Sequence, residues 1–160
     1  MVFGNLMRAL PLSLALMAPA AWAKAPVEKA SCPAGTTQTG TKAEGLTCSK
    51  VDAQKGRSSA HGPYVAYHSN GKLAVQGQFE NGLKVGLWTF FDESGVLEST
   101  SEFNDGGWHG QRIKYFPSGK PQRVEEYKSG RKHGVVQEFA EDGQVLSQVR
   151  YDNNRKVSAE

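Results

Sequence analysis

Three histidines that each precede a glycine are the first residues whose type and spacing could support chemistry. His61 and His109 are 48 residues apart, and His109 and His133 are 24 residues apart. Imidazole nitrogens bind zinc at about 2 Å. If each 24-residue unit supplies two strands, neighbouring histidines are separated by about 9–10 Å, which is too far for one ion. We therefore expect no metal site, and we interpret each histidine as a cap on a turn.

The sequence shows no convincing catalytic arrangement. Asp105 and His109 could form an acid–base pair, but Ser101 is the only nearby hydroxyl at a similar offset, and no nest of oxyanion donors is indicated. No glycine-rich phosphate loop precedes a helix, because no stretch after the N-terminus has helical periodicity. The sequence thus favours a protein that is not an enzyme and needs no cofactor.

Two cysteines, Cys32 and Cys48, lie in one short segment. In an oxidising compartment such a pair most often forms a disulfide. A catalytic pair is more often Cys-x-x-Cys, and a zinc site needs more ligands. We predict a Cys32–Cys48 bridge that fastens a segment without hydrophobic periodicity of its own.

The N-terminal residues have the pattern of a secretory signal. A short region with one basic residue, Arg8, precedes the apolar stretch Ala9–Met17, which is too short to cross a bilayer as a helix. Ala21 and Ala23 are the small residues that signal peptidase requires. We expect residues 1–23 to be removed, so that the chain is exported and is periplasmic or secreted. An uncleaved anchor or a buried helix is the alternative.

The charges are nearly balanced and mixed along the chain. The 19 Lys and Arg residues face 16 Asp and Glu residues, with no basic run or stripe. Nucleic acid is therefore not an expected partner. The mixing of Lys114, Lys120, Arg123 and Lys128 with Glu125, Glu126 and Glu138 also weakens the case for a membrane surface.

Self-similarity at a period of 24 residues is the strongest signal in the chain. Four copies are predicted, at 62–85, 86–109, 110–133 and 134–157, after an irregular segment at 24–61 that holds the two cysteines. Each copy opens with a glycine and has an aromatic residue five positions later and another seventeen positions later. The glycines are Gly62, Gly86, Gly110 and Gly134; the first aromatics are Tyr67, Phe91, Tyr115 and Phe139; the second are Phe79, Phe103, Tyr127 and Tyr151.

Each copy is expected to be a β-hairpin. Pairs such as Asn70-Gly71 and Ser94-Gly95 suit two-residue turns in which both residues have positive φ. A second set, including Asn81-Gly82 and Asp105-Gly106, would connect the hairpins. Runs rich in Val, Phe, Tyr and Thr lie between them and are typical of strands. We predict an all-β fold, in which eight strands form a single up-and-down antiparallel meander with a small disulfide-stapled N-terminal segment.

Alternation along the strands predicts the two faces of this sheet. Leu73, Val75, Gly77 and Phe79 should share one face, and Val65 should share a face with Tyr67. Aromatics at equal positions should stack in columns across the hairpins. Tyr64, Trp88 and Phe90 are predicted on the opposite face from these aromatics. They form either cross-strand packing or a patch that binds a partner.

The repeating unit resembles MORN-type repeats in the bacterial, antitoxin-like variant found in exported proteins. The resemblance extends over about Cys32–Val157, and the second copy carries it best, through Gly86, Trp88, Phe91, Ser94-Gly95, Phe103, Gly106 and His109-Gly110. The third copy departs with Arg112 where Tyr64 and Trp88 stand, and the fourth has Asn154 in place of glycine. Both departures are expected to mark a less regular end.

The resemblance implies a scaffold for protein–protein contacts and, in eukaryotic relatives, for attachment near membranes. We therefore expect an interaction module with a protein partner in the cell envelope or outside the cell. A cell-wall or glycan-binding module is the alternative, because short aromatic hairpins also build polysaccharide binders. A peripheral lipid-binding role is a further alternative that the mixed charges disfavour.

Overall fold

A computed structural model describes residues 31–42, 44–54 and 56–157. The predicted signal segment 1–23 and its cleavage site lie outside these residues. No helix long and apolar enough to cross a bilayer occurs in the described ranges. The strands are β1 (Thr37–Thr39), β2 (Leu46–Asp52), β3 (Arg57–Tyr67), β4 (Leu73–Glu80), β5 (Leu83–Phe91), β6 (Leu97–Asn104), β7 (Gly107–Tyr115), β8 (Pro121–Lys128), β9 (Arg131–Phe139), β10 (Val145–Asp152) and β11 (Arg155–Val157).

All of these strands belong to one sheet in which each strand pairs with its neighbours along the chain. Every pair is antiparallel, and the hairpins β3–β4, β5–β6, β7–β8 and β9–β10 are the four predicted repeats. The predicted all-β, up-and-down meander is thus confirmed. Short connections enforce this order, because a tight hairpin can join only adjacent antiparallel strands.

The strand count of eight is wrong, because three further strands extend the sheet. β1, β2 and the first half of β3 occupy the part of the chain predicted to be irregular. Leu46 and Cys48 are buried in β2, and Leu46 is opposite Val65 of β3. This segment lacks the glycine and aromatic spacing of the repeats, so its strands gave no periodic signal. β11 follows the last turn and pairs with the end of β10.

The predicted disulfide is confirmed. Cys32 and Cys48 are bonded, with their Cα atoms 5.5 Å apart. The bridged segment packs on β3 at Gly62, where a Cβ atom would come within 2.9 Å of Pro33 Cδ and 3.1 Å of Cys48 Cβ. The glycine that opens the first repeat therefore makes room for the stapled segment.

The two sets of turns differ from the prediction in type. Asn81 and Gly82 both have positive φ, as do the equivalent pairs, so the connections between repeats are the two-residue turns. Within each hairpin only the glycine has positive φ. There, the Gly71 N–H donates to His68 O at 2.9 Å and the His68 N–H donates to Lys72 O at 2.8 Å. This is a longer loop closed by a left-handed glycine, and the expectation of two positive φ values at Asn70-Gly71 is wrong.

Gly95 offers a direct test of this loop geometry. Its φ is +82°, a region in which a β-branched side chain is strained. We expect Gly95→Val to lower the free energy of unfolding by more than about 1 kcal/mol, and Gly95→Asn to lower it less, because asparagine tolerates this region. Equal thermal midpoints for the wild type and Gly95→Val would contradict the assignment.

Hydrogen bonds link successive repeats at both ends of the strands. At the turn rim, where the two-residue turns lie, the second turn residue donates its N–H to a backbone oxygen of the strand 22 residues earlier; the pairs are Gly82–Ala60, Gly106–Lys84, Gly130–Trp108 and Asn154–Lys132. At the loop rim, opposite, Asn70 Nδ2 donates to Glu93 O at 2.7 Å. Asn154 has a φ of 68° and makes the same bond as the glycines, so the fourth repeat is not less regular at this turn.

Candidate functional site

One face of the sheet, here called face A, collects most of the notable side chains. Directly opposite residues in antiparallel strands lie on the same face. Trp88 is opposite Ser101, Ser101 is opposite Arg112, and Arg112 is opposite Glu125. Glu125 is in turn opposite Val136. This row crosses the second, third and fourth repeats and defines face A.

An aromatic cluster forms the first half of face A and consists of Tyr64, Phe79, Trp88 and Phe103. The ring centre of Trp88 lies 5.4 Å from Tyr64, 5.0 Å from Phe79 and 6.0 Å from Phe103. Residues at equal positions of neighbouring repeats are two strands apart, about 9–10 Å, so they cannot stack directly. The predicted columns are therefore wrong in detail, because Trp88 fills the space between Phe79 and Phe103.

The predicted separation of the aromatics into faces also needs correction. Tyr64 and Trp88 lie on the same face as Phe79 and Phe103, and Phe90 joins them through its pairing with Val75. The first-strand aromatics are on the other face, where the Tyr115 hydroxyl is 3.4 Å from Thr100 Oγ1. The reason is the hairpin register, which places Tyr64 opposite Gly77.

The bulges in the second strands also limit the predicted alternation. Val75 is opposite Ala66, but Leu73 is opposite Tyr67, because the register shifts between these pairs. Val75, Gly77 and Phe79 therefore keep the predicted common face, whereas the alternation is interrupted at Ala74.

Trp88 is a core residue and offers almost no surface to a partner. It is 1% exposed. Its indole ring occupies the space above Gly77, where any Cβ atom would overlap the ring. Lys84 Nζ lies 4.2 Å from the ring centre and covers it from another side. These contacts support the packing alternative for Trp88, whereas Tyr64 and Phe90 are only partly buried.

A charge cluster forms the second half of face A and consists of Arg112, Arg123, Glu125, Lys132 and Glu138. The buried Glu125 carboxylate lies 3.2 Å from Arg112 Nη1, 3.1 Å from Arg123 Nε and 2.9 Å from Lys132 Nζ. Arg123 also bonds Glu138, which accepts a hydrogen bond from Ser147 at 3.0 Å. The carboxylate is thus satisfied by three cations that remain partly exposed.

Opposing effects act on the pKa of Glu125. Burial raises the pKa, but the hydrogen bond and charge of Lys132, with the charges of Arg123 and Arg112, outweigh burial and lower it. A lowered folded-state pKa adds stability above the unfolded pKa of about 4.3, and this stability is lost as the pH falls through the folded value.

We expect Glu125→Gln to lower the free energy of unfolding by about 1–2 kcal/mol at pH 7, because three cations lose their charged acceptor. The difference from the wild type should shrink below about pH 4, where Glu125 is protonated. Urea unfolding at both pH values measures this, with the exposed Glu98→Gln as control. A difference that is the same at both pH values would contradict the charge cluster.

The departure of the third repeat from the aromatic pattern is an exchange of positions. In the second repeat Lys84 lies over Trp88. In the third repeat Arg112 takes the place of the tryptophan, and Trp108 takes the place of the lysine. The Arg112 guanidinium lies 5.0 Å from the Trp108 ring centre, and that ring is 5.0 Å from Tyr127. The cation–aromatic contact is therefore kept.

The histidines lie at the turn rim. Nδ1 of His61 accepts the Asn81 N–H at 3.3 Å, and Nδ1 of His109 accepts the Ser129 N–H at 3.5 Å. These two cap turns, as predicted. His133 differs, because its Nδ1 lies 3.2 Å from an Asp152 carboxylate oxygen. Within the described ranges no three His, Cys, Asp or Glu side chains are close enough to hold a metal ion.

An open groove lies beside the charge cluster at the loop rim, between the third and fourth repeats. This rim groove has a volume of about 560 Å³, and its lining includes Lys114, Phe116, Arg123, Glu138, Ala140 and Leu146. Lys114 is opposite Arg123, and Arg123 is opposite Glu138, so the groove opens on face A. Apolar side chains and a charged border thus meet at one place.

Sequence reasoning missed both the charge cluster and the rim groove, although a signal was present. Arg112 replaces an aromatic residue, and in the same repeat Glu125 stands where Gly77 and Ser101 stand in the preceding repeats. Two opposite charges that enter cross-strand positions together indicate an ion pair. Leu146 similarly replaces Ala74, Glu98 and Gln122 of the earlier repeats.

Comparison with known proteins identifies the repeat. A family model described as MORN repeat variant matches residues 60–81, 84–105, 108–129 and 132–153. No curated protein sequence matches. Among solved structures the chain is similar to the Glycosylation Associate Protein (Gap123) complex from Streptococcus agalactiae, with 21% identity and a TM-score of 0.39 over 68% of this chain and 19% of that one. Since the family matches cover all four hairpins and just over half of the residues, the chain belongs to the MORN repeat variant family.

Proposed function

We propose that this chain is an exported, non-catalytic protein-interaction module that binds its partner through the rim groove and the adjoining charge cluster. MORN repeats often serve as protein or lipid interaction modules. The observation that carries the proposal is the rim groove itself, an open depression of about 560 Å³ on face A. Because all described strands belong to one sheet, no second layer in this part of the chain covers that face.

The lining of the groove indicates the chemistry of the partner. Phe116, Ala140 and Leu146 offer apolar surface, and Leu146 is largely exposed. Lys114 is exposed beside them and makes no ion pair with a described residue. Four cations, Arg112, Lys114, Arg123 and Lys132, stand against Glu125 and Glu138 on this part of face A. A partner segment with acidic residues around an apolar side chain complements this surface.

A protein partner fits this surface better than a lipid bilayer. Attraction to anionic headgroups depends on clustered, unneutralised basic residues. Here Glu125 neutralises part of the charge of Arg112, Arg123 and Lys132, and Glu138 binds Arg123 again. The arrangement supports selective pairing with individual side chains. We place this function in the cell envelope or outside the cell because of the predicted secretory signal.

Two substitutions in the groove test the proposal. We expect Lys114→Glu and Phe116→Ala each to weaken capture of the partner from an envelope extract at least about tenfold, which corresponds to about 1.4 kcal/mol. Leu87→Ala is the matched control, because Leu87 is an exposed apolar residue opposite Glu102, outside the groove. Equal capture by the groove variants and the wild type, with unchanged unfolding midpoints, would contradict the proposal.

A glycan ligand is the second candidate, and Trp108 is the observation in its favour. This indole is 36% exposed and lies 5.0 Å from the Tyr127 ring, an arrangement on which a sugar ring could stack. Retention of the chain by cell-wall polysaccharide, compared with Trp108→Ala, tests this candidate. Loss of retention in Trp108→Ala together with normal retention of Lys114→Glu would favour the glycan over the protein partner.

A further inference from the structure

The outer edge of β10 is open over more than half of its length. β9 pairs with the inner side of β10, whereas β11 pairs only with Arg150–Asp152. Val145–Val149 therefore has no strand partner on its outer side among the described residues. In the earlier repeats the equivalents of Ser147 pair on both sides; the outer pairs are Val75–Phe90, Ser99–Lys114 and Arg123–Glu138.

The open segment lacks the features that normally protect a sheet edge. Soluble proteins place lysine, other charges or proline on such edges, and terminal repeats usually have a polar outer side. The sequence from Val145 to Val149 is Val-Leu-Ser-Gln-Val, without any of these residues. Val145 is 48% exposed and Leu146 is 65% exposed. An uncharged, partly apolar edge with free backbone groups is suited to pair with another strand.

We propose that this edge pairs with the same edge of a second copy of the chain. An antiparallel pair around a two-fold axis at Ser147 places Val145 opposite Val149 of the second copy and Leu146 opposite Gln148 of the second copy. The direction matches every other pair in the sheet. Because the segment has no charge, the two copies meet without repulsion, and the valines bring apolar surfaces together.

A second copy fits the edge better than an unrelated strand. The segment carries no charge that would select a charged partner, and its Val-Leu-Ser-Gln-Val sequence places apolar or neutral residues opposite one another when it pairs with itself. A two-fold pair also closes, so that it yields a dimer and no fibre. Directly opposite residues share a face, so face A of both copies lies on the same side and the interaction surface is doubled.

The expected dimer is weak. One pair of five-residue segments buries less than the roughly 1,200 Å² of a standard interface, so we expect a dissociation constant in the micromolar range. Sedimentation velocity of the purified, processed chain from about 1 µM to about 500 µM spans this range. We expect a shift from monomer to dimer with increasing concentration.

Two variants at the edge and one control test the pairing. Leu146→Lys adds a charge to the edge and should weaken the dimer at least about tenfold, or about 1.4 kcal/mol. Leu146→Lys combined with Gln148→Glu should restore it, because the two-fold register places the new charges opposite one another. Leu87→Lys introduces the same charge at an exposed site on β5, and it should leave the dimer unchanged. Unfolding midpoints of all variants check the fold.

Several results would overturn the inference. These are a chain that stays monomeric at all concentrations, a dimer that tolerates Leu146→Lys, and a double variant that fails to recover. A dimer disrupted by Val51→Lys and unaffected by Leu146→Lys would place the contact at the β2 edge instead. The measurement uses no partner protein, so its failure is distinguishable from failure of the proposed binding function.

Discussion

Replacement of Trp88 by alanine should lower the free energy of unfolding by about 3–5 kcal/mol, the usual cost of removing a large buried aromatic side chain. Trp88 is one of few fully buried side chains and contacts three other aromatic rings. A single-layer sheet has little other apolar surface that could compensate for the cavity. Such a loss approaches the total stability of many small domains, so the variant may be obtained only partly folded.

Trp88→Phe is the matched control for this substitution. The indole Nε1 has no acceptor among the described residues, so removal of its N–H loses no hydrogen bond. Phenylalanine retains a ring between Phe79 and Phe103, and we expect a clearly smaller destabilisation than for alanine. Guanidinium unfolding followed by circular dichroism measures both variants. If Trp88→Ala unfolded at the same denaturant concentration as the wild type, Trp88 would not be the core of face A.

Gly77→Val should destabilise the chain by about 3 kcal/mol, at the upper end of the range for overpacked sites. A Cβ atom at this position would overlap the Trp88 indole. The φ of Gly77 is not positive, so the penalty comes from steric overlap and not from backbone strain. The glycine thus leaves room for the tryptophan of the next strand.

Gly107→Val is the control, because Gly107 is also a strand glycine without positive φ and the nearest atom to its Cβ position is 3.6 Å away. We expect little change or a gain in stability there. A double variant, Gly77→Val with Trp88→Ala, should be less destabilised than the sum of the single variants, because the valine then has no ring to displace. Additive effects would show that Gly77 and Trp88 are not coupled.

The repeat and the meander could be predicted because glycine and aromatic residues return at fixed positions. Gly82 and its equivalents indicate turns at any level of detail, and short turns leave only one strand order. The turn types could not be predicted as reliably. Asn70-Gly71 and Asn81-Gly82 have the same sequence, but the first belongs to a longer loop in which only the glycine has positive φ.

The faces and the candidate site depended on register, which the sequence pattern alone did not determine. The loop at Gly71 places Tyr64 opposite Gly77, and this brings two aromatic sets that looked separate onto one face. Packing across strands then buries Trp88, which composition alone could present as a binding residue. Glu125 was not recognised, because its ion pairs join residues 7–13 positions apart in sequence that become neighbours only in the sheet.

Site-specific photo-crosslinking tests most directly whether face A at the third and fourth repeats binds the partner. A benzophenone side chain at Gln122 would lie in the rim groove, and the same side chain at the exposed Gln111 would lie on the other face, opposite Glu126. We predict that the Gln122 variant crosslinks to one partner in envelope extract and that Lys114→Glu abolishes the product, whereas the Gln111 variant gives none. Equal crosslinking from both positions, or crosslinking from Gln111 alone, would contradict binding through face A.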